Sequence, residues 1–150
     1  PNMPADVFIS AARLAQIQHQ PNLAKTAYQH VLDLPAKTKG RMYEHAQANL
    51  GLALLERELG NHDAAQDYSD EVIQLSQQAG FPMLAAHAYL LQGKMLENDT
   101  SLNKAFYMYQ ALGDRYGQLD TLDTLIELAQ KKNNHDERVR WSKLKQDLNQ

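Results

Sequence analysis

Glycine and proline punctuate this chain at near-regular intervals, and that spacing restricts the fold more than any other feature. Pro21, Pro35, Gly40, Gly60, Gly80, Pro82, Gly113 and Gly117 bound the segments. Each segment runs for about 12 to 18 residues, with apolar side chains recurring at spacings of three and four. Ala, Leu, Gln, Glu and Lys dominate them, and these are good helix formers. No stretch of useful length alternates apolar and polar residues with β-branched enrichment, so no strands are expected. Eight helices are predicted, over 6–19, 23–34, 41–59, 63–79, 82–98, 101–112, 116–132 and 135–148. Short turns make the members of each pair antiparallel. The helices then group as hairpins over 6–35, 41–79, 82–112 and 116–148. No such hairpin buries its apolar face alone, and stacking the next one on it completes the core. The expected class is all-α: about four antiparallel helix hairpins stacked in a single domain spanning 1–150.

Composition narrows the function classes. The 150 residues include 15 Lys and Arg against 18 Asp and Glu, a net charge of −3 with His neutral. A nucleic-acid surface needs a basic excess, so that partner is not expected. There is no cysteine, which removes disulfides and thiolate chemistry and fits a cytoplasmic protein. No apolar run approaches the roughly 20 residues of a membrane span. The start, Pro1-Asn2-Met3-Pro4, has no basic segment leading into an apolar one, so no leader is expected. A chain beginning at Pro1 reads as a piece of a longer protein, with a neighbouring domain of the same chain as one conceivable partner.

No catalytic constellation stands out: there is no HExxH, no GxSxG and no phosphate-binding glycine loop. Of His19, His30, His45, His62, His87 and His135, no two are three or four apart, so no helical metal pair is expected. An enzyme, a cofactor and a metal are all unexpected. His62-Asp63 and His135-Asp136 read as helix starts, where an aspartate suits the dipole. The aromatic residues read as inter-helix packing. The run Phe106-Tyr107-Met108-Tyr109 is richer than one face needs, and Tyr107 is the side chain expected to point outward. Trp141 lies in the basic segment Arg138–Lys145. It reads as closing the end of the stack, with docking of a partner as the sharper alternative.

Residues at fixed offsets resemble the tetratricopeptide repeat. The third hairpin carries Tyr89, Gly93 and Leu96, then Ala105, Tyr109 and Leu112, with the twelve-residue step from Gly93 to Ala105 that the family uses. The second carries Leu50-Gly51, Gly60 and Ala65, a step two residues longer. In this it is similar to the longer repeats of bacterial regulators like the maltose activator, as is the linker Leu112–Gly117. The first offers Phe8, Ala12, Ala15, Ala24, Tyr28 and Val31. The fourth offers Leu122, Leu125 and Ala129, with Arg138 where a small residue belongs, which suits an end cap.

The resemblance implies a right-handed superhelical solenoid whose first helices line a concave groove for a peptide or partner helix. Carried across, the groove positions are Ile9 and Arg13; Asn49, Leu52 and Glu56; Leu90, Leu91 and Lys94; and Asp120, Asp123 and Glu127. Asn49 sits two residues before Gly51, where the family often places an amide that binds peptide backbone. Ile9, Arg13, Asn49, His87 and Leu91 do not reproduce the clamp of members that hold a C-terminal carboxylate. The implied function is a protein- or peptide-binding scaffold, the interaction or sensor module of a bacterial regulator. Self-association into a homo-oligomer and a small-molecule effector in the groove are the alternatives.

Overall fold

The computed structural model describes residues 4–150, so Pro1 to Met3, where a leader was looked for, lie outside the described residues. Within them there are eight α-helices and no strand: α1 (Ala5–Ile17), α2 (Pro21–Leu32), α3 (Lys39–Glu58), α4 (His62–Ala79), α5 (Pro82–Leu96), α6 (Asp99–Leu112), α7 (Arg115–Lys131) and α8 (His135–Leu148). No helix among them is long and apolar enough to cross a membrane.

The differences from the predicted bounds come from capping. Pro21 opens α2 rather than standing in the turn before it, because its fixed φ suits the first helical position. Asn98 accepts hydrogen bonds from the amides of Thr100 and Ser101, at 2.9 and 3.3 Å, so α6 begins two residues earlier than read. Asp114 and Asn134 do the same for α7 and α8, accepting from Gly117 and Glu137. At His135-Asp136 the cap is therefore Asn134, and the aspartate contributes only to the first turn. Helix α5 stops at Leu96 because Glu97 turns left-handed, with φ 50°. A glycine usually takes that place.

The chain divides into two compact units, one ending at Ala88 and the other running over Tyr89–Gln150. In the first, α1 packs on α2, α3 touches both, and α4 lies along α3. Small side chains let these axes approach. Ala12 and Ala48 are fully buried with Ile9, Tyr28, Val31 and Leu52, Ala46 with Val72, and Ala24 with Ala15 and Leu55. The Tyr28 ring lies over Gly51, its hydroxyl donates to Gln16 Oε1, and Gln16 Nε2 reaches the Gly51 carbonyl at 3.5 Å. Three helices are thus tied at one point. Burial raises the Tyr28 phenol above its ordinary pKa, and Arg13 nearby opposes that in part.

In the second unit, α6 packs on α7 and α7 on α8. Leu102 fills the space beside Gly93, and the Tyr109 ring fills that beside Gly117. Trp141 is buried with its ring edge-to-face on Phe106. Of Phe106-Tyr107-Met108-Tyr109, Tyr107 is the exposed one, as its position predicts.

The first unit also buries a charge. Glu56 is 2% exposed; its carboxylate meets Lys25 Nζ at 2.9 Å and accepts from Asn61 Nδ2 at 2.7 Å. The hydrogen bond from Lys25, then that from Asn61, hold the carboxyl below the ordinary carboxylate range. A depressed carboxyl stabilises the fold above its unfolded pKa, and that contribution is lost as pH falls through the folded one. Glu56→Gln should therefore flatten the acid limb of the stability curve. Lys25→Met should cost more at neutral pH, about 2 kcal/mol, because it strands a buried carboxylate. The Lys25 side chain is 46% exposed, so when Glu56 is lost it turns to water. Urea unfolding of both variants across pH checks the order, and equal losses at every pH would refute it.

Candidate functional site

The predicted groove residues separate into interior and surface groups. Ile9 and Leu52 are buried in one core cluster, so neither presents a side chain to a ligand. Glu56 is taken by Lys25 and Asn61 as above. Asn49 is buried, and its Nδ2 donates to the His45 carbonyl one turn back, at 2.9 Å. Its amide is tucked into its own helix rather than held out to a main chain. Leu90 and Leu91 are buried as well. Arg13, Asp120, Asp123 and Glu127 are exposed, and Lys94 is half-buried.

The structure brings part of the surface group together in the second unit. Gly93, Lys94 and Glu97, at the end of α5, face Thr124, Glu127, Leu128 and Lys131 of α7 across an open cleft of about 260 Å³. Lys94 Nζ reaches Asp120 at 2.9 Å, and Lys131 pairs with Glu97. The left-handed backbone at Glu97 is the bend after α5 that sets this carboxylate against α7. Farther along α7, Asp123 pairs with Lys145 of α8 at 2.6 Å. Of the three α7 carboxylates named from sequence, Asp120 and Asp123 are thus neutralised. Glu127 alone among them has no ion-pair or hydrogen-bond partner within the described residues.

Lys131 and Leu128 belong to this cleft and were not singled out from sequence. The signal for Lys131 was its position four residues beyond Glu127, which places the two on one helical face, while Leu128 lies one turn beyond Thr124. Lys145 and Lys25 carried no such signal, because each pairs across a helix interface whose rotation a sequence does not give.

Elsewhere, α1 shows a second apolar face. Val7, Leu14 and Ile17 are exposed, Ile17 by 74%, opposite the buried Ala5, Ile9 and Ala12. The α3–α4 turn frames another open hollow, bordered by Glu56, Asn61, His62 and Asp63. No group of three or more His, Asp or Glu is placed to hold a metal among the described residues. His30 stacks on Phe8, and the His45 ring contacts the Leu34 carbonyl at 2.6 Å, so both serve packing.

Compared with protein-family models and with curated proteins, the sequence has no match.

Proposed function

We propose that the chain is a protein- or peptide-binding module built from tetratricopeptide-like helix pairs, the interaction or sensor part of a bacterial regulatory protein. The reading includes the superhelical stacking that the resemblance implies. The observation that carries it is the α5–α7 cleft. It opens between the first helices of successive pairs, the surface such repeats use for partners, and it gathers Lys94 and Glu127 from the sequence-derived surface, with Glu97 and Thr124 beside them. Both signs of charge and the Thr124 hydroxyl line it, which suits a polypeptide better than an apolar effector.

Selection of displayed peptides on the immobilised chain tests this. Enriched peptides should lose binding to Thr124→Trp, in which an indole fills the cleft from a half-buried position at its edge while the helical circular dichroism is unchanged. Selection that enriches nothing, or peptides that bind the variant equally, would remove the proposal.

A further inference from the structure

We infer that the α5–α7 cleft seats a single basic side chain, Lys or Arg, of an extended partner peptide. The inference rests on reading that cleft as a partner seat, and names what enters it. Size gives the first argument. About 260 Å³ is at the lower edge of the roughly 300 to 1,000 Å³ of small-molecule sites and has room for one long side chain.

Charge gives the second. Glu97, Asp120 and Glu127 stand against Lys94 and Lys131. Lys94 holds Asp120, Lys131 holds Glu97, and Glu127 is left over. An incoming cation pairs with Glu127 without disturbing either bridge. An incoming anion would have to share Lys94 or Lys131 with the carboxylate already paired to it while lying against Glu127, and both effects disfavour it. The walls suit the rest of such a side chain. Gly93 and Leu128, themselves largely buried, form the floor over which the methylene stem would lie, while the charged head stays at the open mouth near water.

The experiment titrates the isotope-labelled chain with acetyl-Ala-Ala-Arg-Ala-Ala-amide at millimolar concentration, following backbone amides by NMR. The same peptide with Glu or Leu at its centre supplies the comparison. The Arg peptide should move the amides of Gly93, Thr124, Glu127 and Leu128. Glu127→Gln should weaken its binding about threefold to tenfold, as expected for one partly exposed charge-assisted pair. Raising salt from about 0.15 to 0.5 M should weaken it further. Arg-peptide shifts elsewhere, or shifts indifferent to Glu127→Gln, overturn the inference. If the Leu or Glu peptide moves the cleft amides as well as the Arg peptide does, the basic anchor is wrong and the partner seat stands. If no peptide moves them, both fall.

Discussion

Gly51→Ala should lower the stability of the chain by about 2 to 4 kcal/mol, although helix propensity alone favours alanine over glycine by about 1 kcal/mol. The reason is the Tyr28 ring. A methyl group at Gly51 would overlap its Cζ, Oη and Cε1 atoms, all well inside 3.0 Å. Flexible side chains escape such an overlap by rotating, but Tyr28 is 1% exposed and its hydroxyl is bonded to Gln16. Relief must come from separating α3 from α1 and α2, which opens the core around Ala12, Ala48 and Leu52. Gly40→Ala is the control. Its nearest neighbour would be Thr38 Oγ1 at 4.0 Å, so the change should be close to neutral. A double-mutant cycle with Tyr28→Ala separates sterics from backbone effects. Removing the ring should recover more than 1 kcal/mol of the Gly51→Ala loss, a coupling that distant sites do not show. If Gly51→Ala unfolds in urea at the wild-type midpoint, the close approach is not what holds these helices.

Gly51 also shows how far the sequence reaches. The repeat resemblance singles out Leu50-Gly51 and Gly60, and the helices themselves were readable from their punctuation. Which apolar stripe faces inward was not. Val7, Ile9, Leu14 and Ile17 look equally able to form the core of α1, yet only Ile9 is buried. The stripe that won is Ala5, Ile9, Ala12 and Ala15, because small side chains allow α1 to approach both α2 and α3. Hydrophobicity ranks the larger residues first, while axis distance favours the smaller ones. The same rotation decides the groove. A position offset placed Ile9, Leu52 and Asn49 on a binding face; in the structure those side chains turn into the core or back onto their own helix.

On α7 the offset served better. That helix is amphipathic, with Leu122, Leu125 and Ala129 buried and Asp120, Asp123 and Glu127 exposed. Its charged face could be read directly. What stayed hidden was the neutralisation of Asp120 and Asp123 by Lys94 and Lys145 from other helices. Three carboxylates in the sequence thus reduce to one open carboxylate, which is why the occupant inferred for the cleft is a single basic side chain.

Trp141→Ala should release α8 from the rest of the second unit, at a cost of about 3 to 5 kcal/mol. Trp141 is the one buried residue of this 14-residue helix, 2% exposed against Phe106 with ring centroids 5.9 Å apart. Arg140 lies over the indole at 4.4 Å and depends on it for that contact. Leu144 and Leu148 are only half-buried. The remaining polar ties are Lys145 to Asp123 at 2.6 Å, Arg115 to Asn149 at 3.2 Å and Arg140 to Tyr107 at 3.4 Å. They are exposed, each contributes at most about 1 kcal/mol, and salt screens the charged pair. They do not replace a buried indole. A helix of this length is marginal in water without packing. Hydrogen exchange should therefore show the α8 amides opening at near free-peptide rates in Trp141→Ala, while α6 keeps its protection. Trp141→Phe, which retains an aromatic face on Phe106, should lose less. Release of α8 also frees Asp123 from Lys145, so the exposed face of α7 gains an open carboxylate near Glu127, and the Arg peptide should bind the variant more tightly. If the α8 amides stay as protected as in the parent chain, its surface ties hold the helix and the indole is dispensable.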